Sequence, residues 1–197
     1  MTIKQHLLTP NKWSRPQLRI KEVLAIVMHW TANPKANTEQ NRNYFESRKN
    51  GKDGYGSAHY IIGQDGTVIQ CIPTNEVAYH CGSSQKDPAS NKYYTDYARE
   101  KFKHYAENWQ TNSPNFCTIG IELCPTDYEG HYTDATIDSA LVLCGQLCKQ
   151  FNLQAEDITT HHAIVGWKDC PRLWVKHPEL LYAFRKVVEN RIEWGKI

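Results

Sequence analysis

Three short segments of this chain carry residue types that together could bind a metal ion and activate a water molecule. His29 follows an uninterrupted apolar run, Val23–Met28, and Glu122 lies inside a second run, Thr118–Leu123. The third segment follows Asp157–Thr160 and holds four candidates within ten residues: His161, His162, Lys168 and Cys170. Catalytic zinc takes three protein ligands of these types and leaves a fourth position open. Two histidines and one cysteine would supply such a site, although each histidine could instead be a hydrogen-bonded core residue.

Glu122 is difficult to explain as a structural residue. Its neighbours in the run are apolar or glycine, and an unpaired carboxylate buried there would pay a large desolvation penalty or take up a proton. The side chain must therefore be paired or point into a cleft, unless it simply faces outward from the strand. Beside a metal ion the carboxylate would stay ionised, and it could then accept a proton from an attacking water molecule.

Strands are expected to hold these residues. Val23–Met28 and Thr118–Leu123 predict buried strands, and Asp157–Thr160 predicts a short one that leads into His161. Two further β-rich runs, His59–Ile62 and Thr67–Ile72, are joined by an Asp-Gly turn and predict a hairpin. Residues 1–20 are polar and are expected to be irregular.

Helices are expected between the strands. Asn37 can cap a helix that runs to about Lys49 with Tyr44 and Phe45 pointing inward. Residues 94–109 are predicted to be helical. Thr133 or Thr136 can cap a helix to about Phe151, whose inward stripe is Ile137, Leu141, Cys144, Cys148 and Phe151. A C-terminal helix is predicted over about 178–191, with Pro178 as its first residue. The alternation predicts one α/β domain over residues 1–197, with a mixed sheet of five or six strands and helices on both faces.

Composition narrows the function classes. A net charge of +2 without a dense basic run argues against a nucleic-acid partner. No stretch approaches the roughly 18 apolar residues that would cross a bilayer, so a membrane partner is not expected. No signal-peptide pattern opens the sequence, which predicts synthesis in the cytoplasm. Seven cysteines at irregular spacings exclude a disulfide scaffold, and Cys144 and Cys148 are interpreted as small buried side chains rather than a metal or redox pair.

Five segments, taken in order, resemble the type 2 N-acetylmuramoyl-L-alanine amidases, the superfamily that also contains the peptidoglycan recognition proteins. The segments are Ile26–Ala32, Ser57–Ile62 with Asp65–Val68, Val77–Gly82, Thr118–Leu123, and Ile158–Ile164 with Lys168–Pro171. The resemblance covers about residues 22–175. It implies a peptidoglycan recognition protein-like fold with one zinc ion per chain in an open groove at the strand ends.

The resemblance also implies the zinc ligands, which would be His29, His161 and Cys170. The choice between His161 and His162 stays open in part. The family pattern of a histidine three positions before Ile or Val fits His161 with Ile164, whereas a cysteine eight positions after the histidine fits His162. We favour His161 and expect His162 to lie beside the site or to hydrogen-bond a residue that supports a ligand.

Other roles follow from the same resemblance. Some members use a tyrosine as general base, but Ala58 stands at that position here, so Glu122 is expected to be the base. Lys168 would stabilise the developing oxyanion. Substrate contacts are expected from His80, Trp30 and His59. Residues 83–116 are longer than the family core needs, and they could either wall the groove or form a surface elaboration that buries its own aromatic side chains, among them Tyr93, Tyr94, Tyr97, Phe102, Tyr105 and Trp109.

The expected activity is hydrolysis of the amide between the lactyl group of N-acetylmuramic acid and L-alanine in peptidoglycan. A peptidoglycan-binding module without catalysis would need a missing ligand, and Cys170 is retained. A recycling amidase acting on anhydro-muropeptides, and a protease or deacetylase acting on another amide, remain open. We expect a monomer that acts on the cell wall if it is a phage or prophage lysin, and in the cytoplasm otherwise.

Overall fold

A six-stranded mixed sheet forms the centre of the domain. In this computed structural model, which describes residues 2–107 and 112–195, the strands are β1 (Ile3–Gln5), β2 (Ala25–Trp30), β3 (Tyr60–Ile62), β4 (Val68–Gln70), β5 (Thr118–Leu123) and β6 (Ile158–Thr160). Their order across the sheet is β1-β4-β3-β5-β2-β6. β3 and β4 pair antiparallel, and the other neighbours pair parallel. The predicted single α/β domain, its mixed sheet and its hairpin are thus confirmed.

Six α-helices flank the sheet. They are α1 (Thr38–Ser47), α2 (Asp96–Phe102), α3 (Asp134–Phe151), α4 (His161–Val165), α5 (Arg172–Lys176) and α6 (Pro178–Glu193). Asn37 caps α1 through a capping box with Gln40, and the Thr133 hydroxyl caps α3 by accepting from the Thr136 amide. Pro178 begins α6, where a proline costs no helical hydrogen bond.

The pleat of the strands divides the interior into two main cores. Ile26 and Met28 of β2 pack with α3 and α6 on one face of the sheet. Ala25 and Val27 pack with α2 and α4 on the other face. Because successive side chains of a strand point to opposite faces, His29 lies on the α2 and α4 side of the sheet.

The predicted stripe of α3 lies against the core of the α3 and α6 side. Cys144 and Cys148 are both buried there, and all seven cysteines of the chain are buried free thiols. These two cysteines therefore pack as small apolar side chains, as expected. Within the described part of the chain, no helix is long and apolar enough to cross a membrane.

One helix orientation was predicted wrongly. Phe45 of α1 is 9% exposed and packs inward, but Tyr44 is 49% exposed. Neighbouring positions of a helix are rotated by about 100°, so both side chains cannot point to the same core. Tyr44 instead lies on the wall of the groove described below.

The N-terminal segment is more regular than its polar composition suggests. Ile3 pairs with Val68, so that β1 extends the sheet at its edge, and the amide of Leu8 donates to the carbonyl of Cys71 over 2.9 Å. The expectation of an irregular segment over residues 1–20 is therefore wrong for its first part. A three-residue edge strand with exposed polar side chains has no apolar pattern by which to recognise it.

The described residues of 83–107 and 112–116 include α2 and two 3-10 turns, at 103–106 and 114–116. Tyr94, Phe102 and Tyr105 are 1%, 0% and 9% exposed and pack on the β2 side chains Ala25 and Val27. These three aromatic side chains are thus buried against the sheet, whereas Tyr93 and Tyr97 are 37% and 40% exposed. The helix is shorter than the predicted range of 94–109, and Trp109 lies outside the described residues.

Candidate metal centre and groove

The carboxyl ends of three parallel strands meet at one edge of the sheet and bring the candidate residues together. β2 lies between β5 and β6, so that Met28 pairs with Thr160 and His29 pairs with Glu122. His161 follows β6 directly as the first residue of α4. In open α/β sheets, the crevice outside the carboxyl ends of the strands is the usual place for a binding site.

His29, His161 and Cys170 form a buried cluster. One ligand atom from each lies within 4.8 Å of the other two, and the residues are 2%, 2% and 3% exposed. Nδ1 of His29 is 3.6 Å from Sγ of Cys170. Both ring nitrogens of His161 are buried, and neither has a hydrogen-bond partner among the described residues. Since buried polar atoms nearly always have a partner, this ring indicates a ligand between the three side chains.

His162 has a different position from its neighbour. Its side chain is half-buried, and its Nδ1 lies 2.9 Å from the carbonyl oxygen of Lys168. Its amide donates to the carbonyl of Cys170 over 2.9 Å. His161 thus joins the cluster, while His162 holds the loop that carries Lys168 and Cys170.

The donor set fits zinc. Burial lowers the pKa values of His29 and His161 well below their usual range, which keeps both rings in the neutral form that binds metals. Burial also raises the pKa of the Cys170 thiol to about 12, so a cation at this place is needed to favour the thiolate. Imidazole and thiolate are both ligand types of catalytic zinc, which takes three protein ligands and keeps a fourth position open.

Glu122 lies beside the cluster with one oxygen, Oε2, buried and without a hydrogen-bond partner in the described ranges. Burial raises the pKa of Glu122 to about 7, against the opposing effect of the Lys168 charge. Lys168 is exposed and lines the same groove. A carboxyl group with a pKa near neutrality can both accept and return a proton, which is what general acid–base catalysis requires.

An open groove of about 700 Å³ leads to these residues. Trp30 lies on its wall, where the indole Nε1 donates to the carbonyl of Asp169 and the Arg172 guanidinium stacks 5.0 Å from the ring centre. Tyr44 and Tyr55, which are 49% and 59% exposed, line another part of the groove. The groove therefore joins a buried polar cluster to exposed aromatic rings.

His80 and His59, the two histidines from which substrate contacts were expected, have their ring nitrogens hydrogen-bonded within the protein. His80 borders the groove, but its nitrogens lie 3.0 Å from Nε2 of His29 and 3.1 Å from Oγ1 of Thr118. His59 is completely buried: it accepts from the Gly120 amide and lies 2.9 Å from the Glu76 carbonyl. A buried ring with both nitrogens occupied offers no atom to a substrate, so the expected substrate contact of His59 is corrected to a structural position.

Two residues with buried polar groups, Tyr132 and Thr118, could not be recognised as such from the sequence. Tyr132 follows β5 by nine positions, and its hydroxyl is buried with no hydrogen-bond partner in residues 2–107 and 112–195. Burial raises its pKa well above the usual range, and Cys170 and Glu122 add to this effect. Thr118 is the other such residue, because it reads as an ordinary β-former at the start of β5.

The fold and the cluster define a class: an α/β domain with a candidate metal-binding groove at the carboxyl ends of its parallel strands. The sequence model of the family described as N-acetylmuramoyl-L-alanine amidase matches residues 19–173. The chain therefore belongs to the N-acetylmuramoyl-L-alanine amidase family.

Two curated relatives give the same assignment. A probable N-acetylmuramoyl-L-alanine amidase of Bacillus licheniformis is 33% identical over 91% of this chain and 45% of the relative. N-acetylmuramoyl-L-alanine amidase BlyA of Bacillus subtilis (strain 168) is 31% identical over 92% of this chain and 45% of the relative. This chain thus spans about half the length of the curated relatives it matches.

Two solved structures share the fold. PlyL superposes with a TM-score of 0.67 at 21% identity, covering 96% of this chain and 98% of PlyL. The catalytic domain of PlyG superposes with a TM-score of 0.69 at 22% identity, covering 98% and 96%. The agreement extends over nearly the whole of each chain, so the architecture described above is that of these domains.

Proposed function

We propose that this protein is a zinc-dependent N-acetylmuramoyl-L-alanine amidase, which hydrolyses the amide between the lactyl group of N-acetylmuramic acid and L-alanine in peptidoglycan. One observation carries the proposal. His161 keeps two buried ring nitrogens without partners beside Cys170, His29 and a carboxyl oxygen of Glu122 that also has none among the described residues. Family membership supplies the substrate class.

His29, His161 and Cys170 would hold the zinc ion. When bound, zinc would polarise the scissile carbonyl and lower the pKa of the attacking water. The three ligands come from the end of β2, the start of α4 and the loop that His162 fastens. Two of the three are therefore anchored directly at strand ends, which keeps the site rigid when substrate enters.

Glu122 would act as the general base and then as the general acid. Its carboxylate would accept a proton from the attacking water and pass it to the nitrogen of L-alanine as the amide bond breaks. Burial raises the pKa of this carboxyl to about 7 in the metal-free protein, and the positive charge of a bound zinc ion would lower it and keep the carboxylate ready to accept the proton. Lys168, on the same groove, would stabilise the negative charge that develops on the carbonyl oxygen.

The groove would bind the glycan and the stem peptide. Trp30 and the exposed tyrosines Tyr44 and Tyr55 offer ring faces for the apolar faces of sugars. His80 would contribute only its ring surface, since both of its nitrogens are engaged. An open groove, rather than a closed cavity, is compatible with a polymeric substrate.

The test is digestion of purified peptidoglycan by the metal-free protein, by the zinc-loaded protein and by the zinc-loaded protein with a chelator. The products are identified by mass spectrometry. We expect stem peptides with an L-alanine amino terminus, formed only with zinc and lost on chelation. Stoichiometric zinc without cleavage of the wall, or of a soluble anhydro-muropeptide, would overturn the amidase and leave a binding module.

The same digestion separates the biological settings. Cleavage of intact wall with lysis of bacteria would support a lysin that acts on the cell wall. Cleavage restricted to the anhydro-muropeptide would support a recycling amidase. Release of acetate or cleavage within the stem peptide would assign the site to a deacetylase or a protease instead.

A further inference from the structure

A line of hydrogen bonds connects the candidate ligand His29 to the protein backbone. Nε2 of His29 is 3.0 Å from Nδ1 of His80, and Nε2 of His80 is 3.1 Å from Oγ1 of Thr118. The Thr118 hydroxyl lies 2.6 Å from the carbonyl oxygen of Pro114. His29, His80 and Thr118 are 2%, 9% and 0% exposed, so water does not compete for these contacts.

The direction of each hydrogen bond in this line follows from the group at its end, the Pro114 carbonyl. A carbonyl oxygen only accepts, so the single hydroxyl hydrogen of Thr118 is committed to Pro114. Oγ1 of Thr118 can then only accept, and Nε2 of His80 must donate to it. Among the described residues, the hydrogen-bond partners of the His80 ring are a hydroxyl and an imidazole, and no carboxylate contacts it to hold a second proton. The ring is therefore neutral, and its Nδ1 is an acceptor.

The same reasoning assigns the proton of His29. Its Nε2 faces the acceptor Nδ1 of His80 and therefore carries the hydrogen. A neutral imidazole has one N–H, so Nδ1 of His29 keeps its lone pair. This atom faces Sγ of Cys170 at 3.6 Å, on the side of the ring where the cluster is formed.

We propose that His80 and Thr118 are positioning residues that hold His29 in its Nε2–H tautomer and keep Nδ1 free for the metal ion. The role of the metal ion rests on the proposed function, whereas the tautomer does not. Outer hydrogen bonds of this kind fix the orientation of ligand rings and raise their basicity. In this chain the outer partner of the ligand is a second histidine, whose own tautomer is fixed by a threonine.

Gly120 and His59 shape the space that the His80 ring occupies. A Cβ atom at Gly120 would come within 2.5 Å of Cγ of His80, so the ring occupies the space that a side chain would need. The Gly120 amide donates to Nδ1 of His59 over 3.0 Å, and Nε2 of His59 faces the Glu76 carbonyl at 2.9 Å. His59 thus fixes the strand position on which the His80 ring packs.

The backbone of His80 is held as well. Oδ1 of Asn115 accepts from the amides of His80 and Cys81 over 2.9 and 2.8 Å. Asn115 lies in the same 3-10 turn as Pro114, which ends the line of hydrogen bonds. Main chain and ring of His80 are therefore both fastened to residues 114–118.

The first measurement is the tautomer in the metal-free wild-type protein. Long-range proton–nitrogen NMR correlation on protein labelled with 15N-histidine reports which ring nitrogen carries the hydrogen. We expect Nε2–H for both His29 and His80 at neutral pH. A His29 ring with Nδ1–H would overturn the proposal, whatever the protein does with substrate.

The second measurement is zinc affinity by competition with a chelator, for Thr118→Val and Thr118→Ser. Valine keeps the shape but removes the acceptor of His80, whereas serine keeps the hydroxyl. The Pro114 carbonyl still accepts from the Cys117 amide over 3.1 Å in both variants. We expect zinc affinity to fall 10- to 100-fold in Thr118→Val and to stay within about threefold in Thr118→Ser, with mixed His80 tautomers only in the former.

The outcomes separate the two proposals. Equal zinc affinity of Thr118→Val and wild type would refute the positioning role while leaving the amidase intact. Zinc binding with the expected tautomers but without peptide release would refute the amidase and leave the positioning role. A wild-type protein that binds no zinc would overturn both. Should Thr118→Val fail to fold, the wild-type tautomer still decides.

Discussion

Two regions of this protein bury polar side chains, and they differ in whether those side chains have partners. Where the N-terminal segment crosses α1, the guanidinium of Arg42 donates to the carbonyls of His6 and Leu7 over 3.1 and 2.6 Å and lies 3.0 Å from Glu46. Nearby, Arg15 forms a two-fold hydrogen bond with Glu76 over 2.8 Å. At the carboxyl ends of β2, β5 and β6, by contrast, His161 and one oxygen of Glu122 have no partners among the described residues.

This difference shows how buried polar groups with and without hydrogen-bond partners can be interpreted. An unpaired buried group costs about 1–3 kcal/mol, so several such groups gathered at one place need an explanation. The charges near the N-terminal segment stabilise the chain itself. The unpaired groups at the strand ends lower the stability of the metal-free chain, and we infer that a ligand and a substrate complete them.

The largest effect is expected from Glu122→Gln. Glutamine keeps the shape of the side chain but cannot accept a proton, so we expect the rate of amide hydrolysis to fall by about 10²- to 10⁴-fold. Zinc content and the midpoint of thermal unfolding should not fall, because the carboxylate oxygen gives up no hydrogen bond. The rate is measured by mass spectrometry of released peptides.

The matched control is Glu179→Gln, whose side chain is 68% exposed on α6 and should change nothing. A loss of less than tenfold in Glu122→Gln would remove Glu122 from its proposed role. A parallel loss of zinc would instead make it a structural partner of the cluster, as the charges near the N-terminal segment are for α1.

The second prediction tests the satisfied region. Arg42→Met leaves two carbonyls and Glu46 without their buried cation, and we expect the free energy of unfolding to fall by about 3–5 kcal/mol. Urea denaturation of the metal-free protein measures this change. Arg191→Met is the control, since that guanidinium lies 3.5 Å from the exposed Asp138 and its loss should cost less than about 1 kcal/mol.

The two regions also differ in how far they can be predicted from the sequence. Apolar runs mark β2 and β5, the short stretch Asp157–Thr160 marks β6, and chemistry-bearing residues at or near the ends of these strands are visible without a structure. The link between His80 and Thr118, 38 positions apart, depends on which strand lies beside the turn at 114–116, and no local pattern encodes it. His59 looked available for substrate because its burial depends on β4 and β5 together.

The N-terminal segment was the least predictable part of the fold. Its β1 pairs with β4 through backbone groups, and its side chains Lys4 and Gln5 are exposed, so neither periodicity nor hydrophobicity marks it. Arg42 and Glu46 are charged residues of α1, and no sequence pattern marks them as buried. Their burial is created by the segment that crosses them, which is a long-range contact that composition does not reveal.

The third prediction is a pH dependence in the satisfied region. Although burial opposes it, hydrogen bonds from the Thr9 hydroxyl and amide and from Lys49, with the charge of Arg42, lower the pKa of Glu46 to about 2. A depressed carboxyl pKa stabilises the fold above its unfolded value, and that contribution is lost as pH falls from about 4.5 towards 2. We expect Glu46→Gln to lower the free energy of unfolding by about 2–3 kcal/mol at pH 6.

The difference between wild type and Glu46→Gln should shrink to less than about 1 kcal/mol at pH 2.5, because this pH lies far below the pKa of the unfolded chain and close to that of the folded one. Urea denaturation across this range measures it. A difference that does not change with pH would mean that Glu46 acts through its shape rather than through its charge. Lys49→Met is a useful companion, because it removes one exposed donor and should cost much less.

The smallest effect is expected from His161→Phe in the metal-free protein, and it tests the comparison most directly. Phenylalanine replaces two unpaired buried nitrogens by carbon, so the desolvation saved offsets the cost of fitting a larger ring beside the groove. We expect the free energy of unfolding to change by less than about 1 kcal/mol, in contrast to Arg42→Met.

Saturating zinc should then raise the free energy of unfolding of the wild type but not that of His161→Phe. A ligand at a thousandfold its dissociation constant stabilises the wild type by about 4 kcal/mol and a variant that cannot bind it by nothing. His161→Phe should therefore match the wild type in chelator and fall behind it in zinc, measured by urea denaturation in both. If the free energy of unfolding of the variant is already several kcal/mol lower in chelator, the His161 ring has a structural partner. The unpaired groups at the strand ends would then stabilise the fold rather than await a ligand.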